Sequence, residues 1–274
     1  MRKKILIVFI AILSAIQVSA QTYEDWVEKS FVFMENKEWS AAEECLIKAL
    51  RIKPGNPENA ILLSNLGTIQ RKLGKDNEAL QSYSTGLLFA SKSPALLLNR
   101  AELLFDMDSI QGALQDLSQA IAIDEKNMDA LYLRGMILLE KADTTGATND
   151  FKEMLEINPS SSKGRLGLAA VNMQMGAYSE AERLYTIVLN SNPKSSHILI
   201  NRAELYFLWE KYTKALEDLK KAESSDPENP LTYFLRGKVH LKLYEKKEAL
   251  KDFRKAKELG FNSTIINDYI ESAQ

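Results

Sequence analysis

Residues 196–229 read SHILINRAELYFLWEKYTKALEDLKKAESSDPEN, and residues 230–263 read PLTYFLRGKVHLKLYEKKEALKDFRKAKELGFNS. Laid one under the other, they place Ala203 over Gly237, Ala215 over Ala249, Leu219 over Phe253 and Ala222 over Ala256. The same alignment runs back through the chain. Seven alanines, Ala42, Ala79, Ala113, Ala147, Ala181, Ala215 and Ala249, are separated by one interval of 37 residues and then five of 34. A fixed period of this length marks stacked supersecondary units, each too small to bury its own apolar face alone.

Counted in 34s, repeats 1 to 7 start at Tyr23, Ala60, Pro94, Met128, Ser162, Ser196 and Pro230, with Pro57-Glu58-Asn59 as the one insertion. Position 8 is always small: Ser30, Gly67, Ala101, Gly135, Ala169, Ala203 and Gly237. Position 20 is the alanine column, and position 27 is Ala or Gly in five repeats. Small side chains let two antiparallel helices approach closely. Large residues fill position 4 (Trp26, Leu63, Leu97, Leu131, Leu199, Tyr233) and position 24 (Leu46, Tyr83, Leu117, Phe151, Tyr185, Leu219, Phe253) and predict the core. Pro54, Pro159, Pro193 and Pro227 at position 32 end the second helix of their repeats. Ser40, Asn77, Thr145, Ser179 and Thr213 at position 18 are expected to cap the start of that helix, with Ser40–Glu43 and Ser179–Glu182 as capping boxes.

This constellation over residues 23 to about 263 resembles the tetratricopeptide repeat family. The resemblance implies an all-α, right-handed superhelix of helix pairs whose first helices line a concave groove. Departures stand at Arg165 (position 4), at Gln70, Asn172 and His240 (position 11), and at Met154 and Val188 (position 27). Residues 264–274 are expected to form a helix, capped by Ser263 or Thr264, that covers the open end of the array.

Four repeats carry Arg at position 7 (Arg100, Arg134, Arg202, Arg236), and the same four carry Asp at position 23 (Asp116, Asp150, Asp218, Asp252). Repeat 5 has Leu168 and Leu184 there, and repeat 2 has Leu66 and Ser82, so the charges come and go together. That covariation predicts a structural Arg–Asp bridge inside each hairpin rather than an anion site.

The chain has 274 residues, 45% of them hydrophobic, and a formal charge of −2, with no basic footprint for nucleic acid. Residues 1–20 read as a secretory signal: Arg2, Lys3 and Lys4, an apolar run from Ile5 to Ile16, then Val18-Ser19-Ala20. Cleavage is expected before Gln21, leaving a body of charge −5 in the periplasm or outside the cell; retention as an N-terminal anchor is the alternative. Cys45 is the one cysteine, so no intrachain disulfide forms, and Gln21 rather than cysteine after the cleavage site argues against a lipid anchor.

Within the family resemblance, positions 2, 5, 9, 12 and 13 of the first helix face the groove. Positions 5 and 12 then give an apolar contact set of Leu98, Phe105, Tyr132, Leu139, Met173, Ile200, Phe207 and Phe234. The alternative is that these residues pack against neighbouring first helices. Residues 94–161 carry a net −7 and residues 230–260 a net +5. Family members that clamp a chaperone's terminal carboxylate use Lys at position 5, which is absent here.

No catalytic or cofactor constellation is legible. His197 and His240 sit in adjacent repeats, and the repeat spacing already explains Gly67 and Gly74-Lys75. The expected function is a non-enzymatic, cofactor-free scaffold that binds a protein or peptide segment in its groove. A structural subunit of an envelope secretion or outer-membrane assembly is the alternative.

Overall fold

The computed structural model describes residues 21–273; the expected signal segment lies outside them. The regular structure of the described residues is α-helix throughout. Seven hairpins follow one another: α1 (Tyr23–Glu35) with α2 (Trp39–Ile52), α3 (Asn59–Lys72) with α4 (Asp76–Phe89), α5 (Pro94–Asp106) with α6 (Ile110–Ile123), and α7 (Met128–Glu140) with α8 (Thr144–Ile157). Then come α9 (Ser162–Gln174) with α10 (Tyr178–Ser191), α11 (Ser196–Leu208) with α12 (Tyr212–Ser225), and α13 (Pro230–Lys242) with α14 (Lys246–Glu258). A final helix, α15 (Ser263–Ala273), closes the series. The chain divides between Ser91 and Lys92 into two compact bodies, the first holding α1–α4 and the second α5–α15.

Every hairpin turns the same way. Position 15 has positive φ in all seven: Lys37, Gly74, Asp108, Ala142, Gly176, Glu210 and Tyr244, between 57° and 74°. The amide at position 16 donates to the carbonyl at position 11 each time, as in Asp143 to Leu138 at 2.8 Å and Ser109 to Leu104 at 2.7 Å. This six-to-one closure satisfies carbonyls left open at the end of the first helix. Position 16 then serves at once as N-cap of the second helix, two residues earlier than expected. Ser40, Asn77, Thr145, Ser179 and Thr213 therefore lie inside the first turn and cap nothing. Of the seven position-16 residues only Asp143 closes its helix with a side chain, accepting from the Gly146 amide at 2.9 Å. The two proposed capping boxes are replaced by longer reaches: Glu43 accepts from Lys75 at 2.6 Å, and Glu182 accepts from Lys214 at 2.8 Å.

Side-chain caps belong instead to the first helices. Thr22 and Asp25 make a reciprocal box at the start of α1, and Ser93, Asn127, Ser161 and Asn229 each accept a first-turn amide. For α15 the cap is Asn262, whose Oδ1 accepts from the Thr264 amide at 3.0 Å, rather than Ser263 or Thr264.

Five of the seven left-handed turn residues carry a Cβ, which crowds the following carbonyl by roughly 1–2 kcal/mol. Ala142 has φ 61° and an exposed side chain. Ala142→Gly is expected to stabilise the chain by about 0.5 kcal/mol once the greater freedom of glycine in the unfolded chain is subtracted. A urea unfolding midpoint that falls would contradict this.

The core is a set of size-matched pairs sixteen residues apart. The ring or Leu at position 24 is fully buried in every repeat and lies against position 8. Where position 24 is Tyr83, Phe151 or Phe253, position 8 is Gly67, Gly135 or Gly237, and a Cβ there would stand 2.6, 2.7 or 2.5 Å from the ring. Where position 24 is Leu46, Leu117 or Leu219, position 8 is Ser30, Ala101 or Ala203. Phe151 also receives Gly167 of the next repeat, whose Cβ would come within 2.5 Å. The departures at position 27, Met154 and Val188, are buried as core residues.

Each Arg–Asp pair spans its own hairpin with two parallel hydrogen bonds. Nε and Nη2 of Arg100, Arg134, Arg202 and Arg236 donate to the two carboxylate oxygens of Asp116, Asp150, Asp218 and Asp252 at 2.6–2.9 Å. The third arm ties repeats together, from Arg134 Nη1 to Ser118 at 3.3 Å, from Arg202 Nη1 to Thr186 at 3.0 Å and from Arg236 Nη1 to Glu223 at 2.5 Å. Hydrogen bonds to Asp252 hold the Arg236 pKa above the ordinary arginine value, and the Arg236 contact lowers that of Glu223.

The polar departures are also bonded. Gln70 accepts from Ser82 at 2.7 Å and faces Glu43, filling the place of the missing Arg–Asp pair in repeat 2. Arg165 donates to the Pro159 carbonyl as Tyr233 does to that of Pro227, at 2.5 and 2.8 Å, so Arg165 keeps the bond that a tyrosine makes at this position.

Candidate partner-binding groove

In the second body α7 packs on α5 and α9, and α11 on α13, which sets the position 5 and position 12 columns of these first helices side by side. The eight predicted contact residues do not share one environment. Leu98, Phe105, Tyr132, Met173, Phe207 and Phe234 are half-buried. Leu139 and Ile200 are 9% and 7% exposed, and Ile200 sits in the core formed by α9–α13. Packing between neighbouring first helices therefore takes Ile200 out of the contact set.

Phe234 is also withdrawn, because α15 and the link that leads into it bring aromatic rings onto it. Its ring stacks on Phe261 at 4.1 Å and meets the edge of Tyr269 at 5.1 Å. Those contacts join Ile266, which is fully buried, to the Tyr233, Phe253 and Ala256 core. Tyr132 leans on Phe151 at 6.2 Å, with the Lys163 ammonium 5.3 Å from its ring. Phe207 lies against Tyr212 at 6.1 Å and carries Lys238 at 4.8 Å.

What stays open is a cleft of about 490 Å³ across α5, α7 and α9, lined by Phe105, Leu133, Met136, Ile137, Leu139, Glu140 and Gln174. Two of its residues, Phe105 and Leu139, are in the predicted set. The other five were not in that set, and of these Met136, 38% exposed, is the apolar side chain that stands most open to a partner. It stands at position 9, a column that elsewhere in this body reads Glu102, Ala170, Glu204 and Lys238, and a large apolar side chain in such a column was the available signal. Methionine adapts its shape to varied apolar surfaces.

No group of three or more His, Cys, Asp or Glu side chains among the described residues is placed to hold a metal. His240 instead bonds Glu245 at 2.6 Å, and His197 bonds Ser195 at 3.0 Å. Burial pushes the Cys45 thiol up, which keeps it in the less reactive protonated form. No described helix is long and apolar enough to cross a membrane.

A tetratricopeptide repeat protein from Parabacteroides merdae superposes with a TM-score of 0.83, is 36% identical, and matches 93% of this chain and 99% of its own. The chain belongs to the tetratricopeptide repeat family. Family models agree over part of its length: one described as a tetratricopeptide repeat matches residues 138–205, and one described as anaphase-promoting complex, cyclosome, subunit 3 matches residues 174–256. Among more distant solved structures, YrrB, described as a TPR protein with an unusual peptide-binding site, has a TM-score of 0.53 at 20% identity over 69% of this chain and 96% of its own. The Cut9-Hcn1 hetero-tetramer of the APC/C gives 0.67 at 12% identity over 91% of this chain and 55% of its own. Both share the fold. A search of curated proteins finds no match. As a tetratricopeptide repeat solenoid, the chain has the architecture of a protein–protein interaction scaffold.

Proposed function

We propose that this protein is a non-enzymatic scaffold of the bacterial cell envelope or secreted space, and that it seats a peptide segment in the cleft at Phe105, Met136 and Leu139. The observation that carries this is the apolar floor there, edged by Glu140 and Gln174, on the first-helix side where Ile200 and Phe234 of the predicted row are packed away. An apolar anchor entering such a cleft would supply most of the affinity, with polar contacts fixing its direction. The apolar run at Ile5–Ile16 behind three basic residues supports export.

Phe105→Ala with Met136→Glu tests the groove. The double variant should lose partners from an envelope-fraction pull-down, with affinity for any isolated partner falling at least about thirtyfold, as for a central anchor. Identical partner lists for parent and variant would sink this assignment. Phe31 and Val32, 43% and 51% exposed on α1, favour a second reading in which the first repeat docks into an envelope assembly. Partner loss on Val32→Glu, but not on the groove variant, would select it.

A further inference from the structure

From the structure we infer a second interaction surface, on the second-helix side of repeat 7, that takes a carboxylate-rich peptide segment. At positions 18, 22 and 25 the last repeat carries Lys247, Lys251 and Arg254. Repeat 3 has Gln111, Gln115 and Ser118 at these places, and repeat 4 has Thr145, Asn149 and Lys152, so three cations together occur in repeat 7 alone. The spacing of four and then three residues sets them on one face of α14 over roughly 10 Å of helix. All three are exposed.

They border a cleft of about 640 Å³ between α12, α13 and α14, whose floor includes Tyr233 and Leu250. The floor is fixed before any ligand arrives. Arg236 is clamped between Asp252 and Glu223, and the Tyr233 hydroxyl is held by the Pro227 carbonyl. These contacts neutralise Arg236, so the free positive charge of the cleft is that of the α14 face.

Charge complementarity selects the occupant. The three cations face solvent in a chain of net negative charge, and they mark the strongly basic end of an array whose repeats 3 and 4 are acidic. Carboxylates at one-turn spacing on a partner segment would meet them in register, and an apolar residue between would find Leu250 and the Tyr233 ring. A narrow peptide strand fits a cleft recessed between α12, α13 and α14 better than a flat anionic bilayer does, because it can set its carboxylates on the α14 face and its apolar side chains on the floor.

The test is fluorescence anisotropy with a fluorescein-labelled oligoglutamate, using the full exported chain. The parent should bind at low salt and release as salt rises. Lys247→Glu, Lys251→Glu and Arg254→Glu together should weaken binding at least about tenfold, the sum of three exposed ion pairs. The Gln version of the same triple change, which introduces no repulsion and guards against misfolding, should give a smaller loss. Failure of the parent to bind the probe, or equal binding by the reversed variant, would overturn the inference. So would preferential binding of phosphatidylglycerol vesicles, or a self-association in sedimentation that the reversal abolishes, which would assign the face to lipid or to a second copy.

Discussion

Asp218→Ala is expected to lower the stability of the chain by about 3–5 kcal/mol, among the largest losses available to a single substitution here. The carboxylate is 3% exposed and the Arg202 side chain 14%, and the pair is joined by hydrogen bonds of 2.7 and 2.9 Å. Removing Asp218 leaves a largely buried guanidinium over the Tyr206 ring, with Thr186 to receive one of its arms. Replacing both partners by Leu should cost far less, because no charge is then stranded. The protein already contains that arrangement in Leu168 and Leu184 of repeat 5, where Leu184 is 4% exposed within a continuous core. Urea unfolding of the single and double variants checks it. A double variant as unstable as Asp218→Ala would show that the pair contributes more than mutual neutralisation.

Gly237→Val is the second large effect, with an expected loss of about 3 kcal/mol from overpacking. A Cβ at this position would stand 2.5 Å from Cε1 and 2.7 Å from Cδ1 of the fully buried Phe253 ring, which has no open space into which to retreat. The remedy is written elsewhere in the chain. Ala101 pairs with Leu117 and Ala203 with Leu219, so Gly237→Ala combined with Phe253→Leu should recover most of the stability that Gly237→Ala alone loses. Strictly additive effects of these two changes would show that the position 8 and position 24 side chains are not matched in size.

The same sixteen-residue offset that links Arg100 to Asp116 links Gly237 to Phe253, yet only the first was legible in the sequence. Charges covary as present or absent, which stands out, whereas volumes trade gradually: Ala169 opposite Tyr185 blurs the rule that glycine faces the rings. The hairpin turn was hidden for a related reason. Glycine marks position 15 only at Gly74 and Gly176, and elsewhere the backbone imposes the left-handed conformation on Lys37, Asp108, Ala142, Glu210 and Tyr244. With the turn unseen, the oxygen-bearing residues at position 18 looked like caps.

Periodicity identified which groove residues were apolar but not which were covered. Ile200 is enclosed by its neighbours, and Phe234 by the ring of Phe261, at the position where four other repeats carry proline, and by that of Tyr269 beyond the last repeat. Met136 stood out only by contrast with its column. Exposure of a side chain depends on the bulk of residues one repeat away, and a single-repeat consensus carries no such information.

Leu168 changes how one joint of the second body is fastened. At position 7 a guanidinium reaches back from repeat 4 to 3, from 6 to 5 and from 7 to 6, but not from 5 to 4. There the joint is keyed by the Phe151 ring, wedged between Gly135 and Gly167, and by the Lys163 ammonium, which reaches Asp129 at 2.9 Å. Salt weakens the exposed Lys163–Asp129 pair but not the buried ring contact, which weakens on cooling. The seam between repeats 4 and 5 is thus fastened by a wedged ring and an ammonium where its neighbours in the second body use a guanidinium, so one array holds two kinds of fastening.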